Sequence, residues 1–250
     1  MRERIRSWLQ PLRGTPLHPQ WFSFRDEIGW LRHWAGHARG VVVDVGCGRQ
    51  RIRPFLDPSC RYVGTDFYAT ARNLYQSRPE LYADARALPL ADASADTVLL
   101  VEVLEHVAQP ERALSEALRV LRPGGTLVVS VPFLYPVHDA PFDFQRWTPA
   151  GIREVLGRTG FQLVEYRSVG SPAETAALIG SIAVARLSLN LLRRYGPLGA
   201  LALPVAAVLV IAINLLGWSF RWAGRDDELM PHACRAVGRK PAARATGSPS

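Results

Sequence analysis

The first feature of this sequence that could do chemistry is a glycine turn placed between two acidic strand ends. The apolar run Val41–Val45, which contains Asp44, breaks into Gly46-Cys47-Gly48. Since glycine has no Cβ, such a turn lets backbone N–H groups approach a ligand closely. About twenty residues further on, Asp66 ends the next apolar segment, where a carboxylate can accept hydrogen bonds from both hydroxyls of a ribose. The pattern predicts a nucleoside-binding site.

The second such stretch runs from Tyr135 to Trp147. It combines an imidazole, two carboxylates, a guanidinium and several aromatic rings. An imidazole titrates near neutral pH, which suits proton removal by His138, and Arg146 can bind a carboxylate or phosphate with two parallel hydrogen bonds. We therefore predict His138, Asp143 and Arg146 as catalytic residues. The alternative is that Asp143 and Arg146, which stand three apart, only brace the loop.

These residues need a scaffold that brings distant strand ends together. Apolar strands alternate with helical segments: strands are expected at 41–45, 61–65, near 82–89, 96–101, 126–131 and 161–169, and helices at 110–121 and 148–159. The predicted fold class is α/β, with a doubly wound Rossmann-like sheet. Ligands of such sheets bind at the carboxyl ends of the strands, where these acids and glycines lie.

Five motifs follow one another within residues 38–170: Val43-Asp-Val-Gly-Cys-Gly48, Gly64-Thr-Asp66, Ala83-Asp-Ala85, Asp96-Thr-Val-Leu-Leu-Val-Glu-Val-Leu-Glu-His106 and Leu121-Arg-Pro-Gly-Gly125. Together they resemble the class I S-adenosylmethionine-dependent methyltransferases, within them the type-11 group. The resemblance implies a seven-stranded sheet, S-adenosyl-L-methionine as the cofactor and methyl transfer as the reaction. The sequence predicts no metal site.

The resemblance also implies which residues contact the cofactor. The Gly46-Cys47-Gly48 turn would approach the methionine part, with Asp44 orienting that turn. Asp66 would bind the ribose hydroxyls. Asp84 and the N–H of Ala85 would contact the adenine.

Two further positions qualify this assignment. Glu102, at the end of the fourth strand, would border the methyl-donor side, or it is a structural acid. The family usually has a third glycine two residues after Gly48, but Gln50 stands there. That departure concerns the shape of the loop and not the identity of the cofactor.

The region before the first strand, residues 1–37, is predicted to be basic, aromatic and helical. A short basic helix with Arg2, Arg4 and Arg6 leads through a proline-punctuated link to a helix at 21–38. Its residues Ile28, Leu31 and Trp34 recur at three-residue steps. We expect this helix to pack on the edge of the sheet; the alternative is that its aromatic rings close over the cofactor.

Composition limits the class of protein and its compartment. The 250 residues, 48% hydrophobic and 21% charged, are those of a globular protein with a net charge of +8. Such a charge suits nucleic acid, an anionic membrane or an acidic substrate. However, Glu102-Val-Leu-Glu stands where nucleic-acid amino methyltransferases carry an Asn/Asp-Pro-Pro-aromatic segment, which argues against nucleic acid. Three unpaired cysteines and an N-terminus without a secretory signal indicate the cytoplasm.

A long apolar stretch separates the sixth strand from the end of the sheet. The segment between Arg194 and Arg221 is uncharged, and residues 173–192 carry Arg186 as their one interior charge, with Glu174 at their start. We predict that residues 171–228 form an apolar helical hairpin inserted before the last strand at 229–240, with a disordered tail at 241–250. The hairpin would place residues 173–222 at the cytoplasmic face of the inner membrane. A soluble helical cap or a homodimer interface is the alternative.

The sequence thus predicts an S-adenosylmethionine-dependent methyltransferase that O-methylates a glycan, a lipid-linked molecule or another small acceptor near the inner membrane. A quinone-like lipophilic acceptor is the second possibility. An inactive cofactor-binding protein that docks a partner to the membrane is the third. The residues do not identify the acceptor.

Overall fold

The computed structural model describes residues 10–224 and 228–242. The predicted basic helix with Arg2, Arg4 and Arg6 lies outside the described residues, as does the predicted disordered tail beyond residue 242. The described chain divides into two compact units. One contains residues up to 29, residues 134–136 and residues 169–232; the other contains residues 30–133, 137–168 and those from 233 on.

The larger unit is built on a seven-stranded sheet with the strand order β3-β2-β1-β4-β5-β7-β6. Its strands are β1 Val41–Val45, β2 Arg61–Asp66, β3 Leu81–Tyr82, β4 Ala95–Val101, β5 Leu121–Pro132, β6 Gln162–Val169 and β7 Ala233–Arg239. The pairs from β3 to β5 are parallel, whereas β7 runs antiparallel to β5. The predicted fold class is confirmed, including the apolar helices that precede the last strand.

The α-helices are α1 Trp21–Phe24, α2 Glu27–His37, α3 Pro110–Val120, α4 Pro149–Arg158, α5 Pro172–Tyr195 and α6 Ala202–Ser219. A short helical turn at Tyr68–Thr70 continues as a π-helical segment at Ala71–Tyr75. After β1, Pro54 and Pro58 leave only a 3-10 turn at Arg53–Phe55. Helix α4 is capped by Thr148, whose side chain accepts a hydrogen bond from the backbone N–H of Gly151.

Both faces of the sheet are covered, which explains why β1 is apolar throughout. Successive strand residues point to opposite faces. Accordingly, Val42 belongs to one buried cluster together with Leu31 and Trp34 of α2, whereas Val43 belongs to a second cluster on the other face. Parallel strands buried on both faces place their carboxyl ends, and any ligand site there, on a rigid base.

One local prediction needs correction. Helix α2 packs on the face of the central strands and not on the sheet edge, since Leu31 and Trp34 cluster with residues of β1, β4 and β5 while Ile28 is 56% exposed. Helix α3 ends at Val120, and the Pro-Gly-Gly segment that follows it forms a bulge inside β5. The register there moves from Ala95 opposite Leu121 to Thr97 opposite Thr126.

The smaller unit is a helical hairpin of α5 and α6. Ser171 and Glu174 form a reciprocal capping box that begins α5. Helix α6 buries only a narrow strip, which contains Ala206, Val210 and Asn214. Within that strip, Asn214 Oδ1 accepts a hydrogen bond from Ser181 Oγ at 2.9 Å, and Asn214 Nδ2 donates to the carbonyl oxygens of Pro16 and His18 at 2.8 and 3.1 Å.

Candidate active site

The glycine turn after β1 has the tight geometry that its sequence predicts. Gly46 has a φ of +69°, and a Cβ at this position would lie 2.6 Å from Val103 Cγ2. Both constraints require glycine. Just before it, the buried carboxylate of Asp44 accepts a hydrogen bond from Tyr62 Oη at 2.7 Å. Burial raises the pKa of Asp44 to about 7, an effect that the Tyr62 hydrogen bond only partly offsets.

Asp66, at the end of β2, joins that turn. Its Oδ2 accepts a hydrogen bond from the N–H of Gly48 at 3.1 Å, and its Oδ1 accepts from the N–H of Phe67 at 2.8 Å. Hydroxyls of Thr70 and Ser77 lie at 3.2 and 3.5 Å from the same carboxylate. Burial raises the pKa of Asp66, although these hydrogen bonds oppose the shift. The carboxylate is thus fixed by the chain's own donors, and its predicted ribose contact would be made on its remaining lone pairs.

The departure at Gln50 now has a physical explanation. Its φ is +53°, in the left-handed region where glycine has no steric penalty. The Gln50 side chain compensates, since its Nε2 donates to the Arg78 carbonyl oxygen at 3.2 Å and its Oε1 accepts from Arg53 at 2.8 Å. The loop therefore keeps the shape that a third glycine would give.

Beside this turn lies a cavity of about 420 Å³ with a polar lining. Its lining residues come from the turn and from the segment after the π-helical turn: Gly48, Arg49, Gln50, Tyr75, Gln76, Ser77 and Arg78. The two guanidinium groups suit the carboxylate end of an amino-acid ligand. The sequence did not predict that the segment after the π-helical turn forms part of the cavity wall.

The predicted adenine contacts lie two and three residues beyond β3. Asp84 pairs with Arg86, whose Nη2 is 2.6 Å from Asp84 Oδ2, and this hydrogen-bonded pairing lowers the pKa of Asp84. Ala85 is half-buried. A carboxylate has about four lone-pair positions, so the pairing leaves room for an amino group. The adenine assignment stays a prediction.

Glu102 stands at the end of β4 with a backbone φ of +54°, which is uncommon for a residue other than glycine. Its N–H donates to the carbonyl oxygen of Ser130 at 2.8 Å, and its side chain accepts a hydrogen bond from the Ser130 hydroxyl. Strand β5 therefore holds Glu102 in this strained conformation. Such strain concentrates at functional sites, but the role of Glu102 at the methyl-donor side stays a prediction.

The structure brings the three predicted catalytic residues together. Asp143 binds Arg146 through two hydrogen bonds of 2.6 and 2.7 Å, and it accepts the backbone N–H of His138 at 2.8 Å. Burial alone would raise the pKa of Asp143, but these donors outweigh it and hold the pKa at about 2. The Nδ1 atom of His138 is 3.4 Å from Asp143 Oδ2. The Asp143–Arg146 pair thus does brace the loop, and it also orients the imidazole.

The structure adds a residue that sequence reasoning missed, the carboxylate of Glu105. It is fully buried in the 3-10 turn Leu104–His106 that follows β4. Its Oε1 lies 3.6 Å from His106 Nε2 and 4.0 Å from His138 Nε2. The signal in the sequence was an acid directly before a histidine, but the separation of 33 residues between Glu105 and His138 hides their proximity. We call Glu105, His106 and His138 the imidazole–carboxylate cluster.

A second unpredicted contact links this loop to the cofactor side. Tyr75 Oη donates to Asp139 Oδ2 at 2.6 Å, across 64 sequence positions. Since Tyr75 also lines the polar cavity, the loop after β5 is fastened to a wall of that cavity. The site therefore offers a ligand-binding turn at β1 and β2 and a proton-handling cluster after β4 and β5.

Comparison with known proteins agrees with this arrangement. Residues 43–129 match the family model described as a methyltransferase domain, type 11. A Mycolicibacterium smegmatis protein named a probable S-adenosylmethionine-dependent methyltransferase is 31% identical over 169 residues, which cover 63% of this chain and 65% of that protein. An uncharacterized methyltransferase of Mycolicibacterium gilvum is 40% identical over 41% of each chain. The chain spans less than two thirds of the length of these curated relatives.

Solved structures share the fold. The [4+2]-cyclase SpnF superposes with a TM-score of 0.55 at 20% identity, covering 90% of this chain and 83% of that one. A SAM-dependent methyltransferase of Methanosarcina mazei gives a TM-score of 0.50 at 14% identity, covering 84% and 98%. Because one of these neighbours is titled a cyclase, the fold alone does not fix the reaction. The family match over residues 43–129 and the curated relatives support a class I S-adenosylmethionine-dependent methyltransferase.

Proposed function

We propose that this protein binds S-adenosyl-L-methionine and transfers its sulfonium methyl group to an oxygen atom of a small acceptor. The observation that carries the proposal is the hydrogen bond between the N–H of Gly48 and the carboxylate of Asp66. It joins the turn expected at the methionine end to the acid expected at the ribose, so one rigid unit can fix both ends of the methyl donor. Methyl transfer is an in-line displacement, in which such positioning supplies much of the acceleration.

An oxygen acceptor is favoured by the proton-handling cluster. A hydroxyl must lose its proton near the transition state, and His138 presents an imidazole whose ring is oriented by Asp143. In this proposal the proton leaves through the imidazole–carboxylate cluster. The oxygen then forms a bond to the methyl carbon while the carbon–sulfur bond breaks and its electron pair returns to sulfur.

We propose a glycan or lipid-linked molecule as the acceptor, with a quinone-like lipophilic molecule as the second candidate. Arg146 supports an acceptor that carries a carboxylate or phosphate, because its guanidinium is 22% exposed while held in place by Asp143. A carboxyl acceptor would need no base, whereas a glycan hydroxyl or a quinol would. Variants of His138 therefore distinguish a carboxyl acceptor from a hydroxyl acceptor.

The lipid-linked proposal is supported by the hairpin α5–α6. Both helices are long and apolar enough to cross a membrane, and only 28% and 22% of their most apolar windows are buried. Exposed side chains along α6 are large and apolar: Leu203, Val205, Val208, Leu209, Leu215, Leu216 and Trp218. Monomeric soluble proteins rarely expose so large an apolar surface. We propose that residues 173–222 associate with the cytoplasmic leaflet of the inner membrane.

The reaction is tested by incubating the protein and a cell extract with S-adenosylmethionine labelled in its methyl group, followed by mass spectrometry of the labelled products. We expect one class of labelled molecule, absent when Asp66 is replaced by alanine. Cofactor binding without any labelled product would support the inactive docking protein instead. No binding at all would contradict the proposed function.

Membrane association is tested by sedimentation. Since apolar burial is not screened by ions whereas arginine–lipid attraction is, the protein should stay with membranes in high salt and dissolve only in detergent. A control variant that places charges on the exposed apolar face of α6, Val208→Glu with Leu216→Glu, should release the protein from the membrane. If the protein is soluble without detergent and dimeric, the exposed apolar face of α6 is an interface between two copies.

A further inference from the structure

We propose that the imidazole–carboxylate cluster binds a divalent metal ion through Glu105 Oε1, His106 Nε2 and His138 Nε2. This metal site rests on the proposed function only for the role of the ion, because the cluster lies where the proposed methyl acceptor would bind. The ligand set itself follows from contacts among these three side chains. Their ligand atoms all lie within 4.8 Å of one another.

Glu105 gives the first argument. Its side chain is fully buried, and neither carboxylate oxygen has a hydrogen-bond partner among the described residues. A buried carboxylate without donors is costly, and native proteins nearly always satisfy one. The carboxylate faces two ring nitrogens, so the missing partner must be a group that both a carboxylate and imidazoles can bind. A proton or a metal ion meets that requirement.

The imidazole orientations favour the metal ion. His106 Nδ1 lies 2.7 Å from the carbonyl oxygen of Phe142. A carbonyl oxygen only accepts, so Nδ1 carries the hydrogen and Nε2 of the neutral ring presents a lone pair toward Glu105. A hydrogen bond from the far ring nitrogen to a carbonyl or carboxylate is the usual support of a metal-binding histidine.

His138 has a comparable support. Its Nδ1 lies 3.4 Å from Asp143 Oδ2 and 3.5 Å from Arg146 Nη2. Arg146 Nη2 can only donate, so Nδ1 accepts from it and Nε2 carries the hydrogen of the neutral ring. An ion at Nε2 would replace that hydrogen and select the other tautomer, in which Nδ1 donates to Asp143. Asp143 would then be the outer carboxylate of a carboxylate–histidine–metal arrangement.

The distances decide between a shared proton and an ion. Separations of 3.6 and 4.0 Å from Glu105 Oε1 to the two Nε2 atoms are too long for hydrogen bonds. Tetrahedral ligands at metal–ligand distances near 2.0–2.1 Å stand about 3.3 Å apart. The observed separations between these ligand atoms are therefore close to those around a bound ion. A small inward movement of His138 would complete the site.

Nearby charge also suits a cation. The carboxylates of Glu102, Asp139 and Asp143 all act on the cluster, against the single guanidinium of Arg146. Two imidazoles and one carboxylate are a ligand set for Zn²⁺ or another first-row divalent ion, with a coordination position open. An acceptor hydroxyl in that position would lose its proton to water more readily, because the ion stabilises the alkoxide. With an ion bound, His138 would assist proton removal as a ligand of that ion instead of as the direct base, and the alkoxide would attack the methyl carbon.

The chain offers an internal comparison for this site. His33, His37 and Glu165 form a second group of the same residue types. There Glu165 makes direct contacts, at 3.0 Å to His33 Nε2 and 3.3 Å to His37 Nε2. It also accepts from Arg167 at 2.7 Å. That carboxylate is satisfied by the chain itself, so we expect no tight ion there.

The test is a titration of the full-length, chelator-treated protein with Co²⁺, followed by visible absorption and by metal analysis after gel filtration. We expect one Co²⁺ per chain, with the absorption of a low-coordinate imidazole-bound ion. The variants Glu105→Gln and His106→Ala should each weaken binding at least about tenfold. The matched variant His37→Ala should bind Co²⁺ like the unaltered protein. Circular dichroism and urea unfolding confirm that each variant is folded.

Two results would overturn the proposal. The first is the absence of a saturable signal, or a signal unchanged in Glu105→Gln. The second is a signal lost in His37→Ala, which would assign the ion to the surface group. Failure of the proposed function is recognised separately, because the Co²⁺ titration needs neither cofactor nor acceptor, and product formation is measured with labelled methyl donor.

Discussion

The turn at Asp66 and the cluster at Glu105 are both buried carboxylate sites at the carboxyl ends of the same sheet, but their donors differ. Asp66 receives hydrogen bonds from two backbone N–H groups and from neighbouring hydroxyls. Glu105 receives none among the described residues. The first site is therefore complete before any ligand arrives, whereas the second becomes complete only when something binds. Positioning of the methyl donor and treatment of the acceptor should consequently respond to different mutations.

The largest expected effect separates the two sites. His138→Ala should lower turnover by about 10²- to 10⁴-fold, because proton removal from the acceptor is lost. Affinity for S-adenosylmethionine should stay nearly unchanged, since His138 has no part in the turn at Gly46–Gly48. Turnover is measured by labelled product and affinity by calorimetry. His33→Ala serves as a control imidazole and should retain full activity. An equal loss of turnover and affinity in His138→Ala would make that residue part of the scaffold.

A smaller effect is expected on the other side. Asp66→Ala should weaken cofactor binding by about 1.5–3 kcal/mol, roughly 10- to 150-fold, through loss of charge-assisted hydrogen bonds. Calorimetry measures it, and the exposed Asp57→Ala is the control. Unchanged affinity would show that Asp66 does not bind the ribose. The two carboxylates would then not differ in the way described above.

The rigidity of the cofactor side is tested with Gly46→Ala. A Cβ at a φ of +69° and 2.6 Å from Val103 should lower the free energy of unfolding by about 1–3 kcal/mol. Urea unfolding measures this. Gly36→Ala, in α2 with no neighbour within 4 Å of the new Cβ, should instead be neutral or slightly stabilising. Equal behaviour of both variants would mean that the turn tolerates a side chain and is less rigid than its contacts indicate.

A further effect concerns pH. The folded-state pKa of Asp44 is about 7, above its ordinary value of 3.8, so the folded protein favours the protonated acid. The stability that this contributes is present below about pH 4 and is lost as the pH rises through 7. Asp44→Asn should remove this dependence, which has a slope of at most about 1.4 kcal/mol per pH unit. Urea unfolding at pH 4.5, 5.5 and 6.5 compares the two proteins. A parallel pH dependence in both would show that Asp44 does not titrate in this range.

The same contrast explains what the sequence could predict. The strand ends at Val45 and Asp66 are local features, because a β-branched run followed by glycine or an acid reads correctly without knowledge of distant residues. The left-handed backbone at position 50 also had a local signal, because Gln50 stands where the family usually has a glycine. These short-range signals were enough for the fold and for the cofactor side.

The acceptor side depends on distant pairs, and the sequence does not specify them. Nothing in the pattern places His138 against Glu105 or Tyr75 against Asp139. The predicted position of α2 was wrong for the same reason, since periodicity identifies the apolar face of a helix but not the part of the sheet that it covers. Buried side-chain clusters follow from tertiary packing, which local propensity does not encode.

The amide of Asn214 has a practical consequence for anyone who wishes to produce this protein. The apolar hairpin invites deletion as a way to improve yield. However, the carbonyl oxygens of Pro16 and His18 accept their hydrogen bonds from Asn214, so removing α6 would strip the N-terminal segment of its partners. Removing that segment instead would expose Asn214 and the other buried residues of α6. Trimming either piece should therefore yield an aggregating product, and detergent is the better route to pure protein.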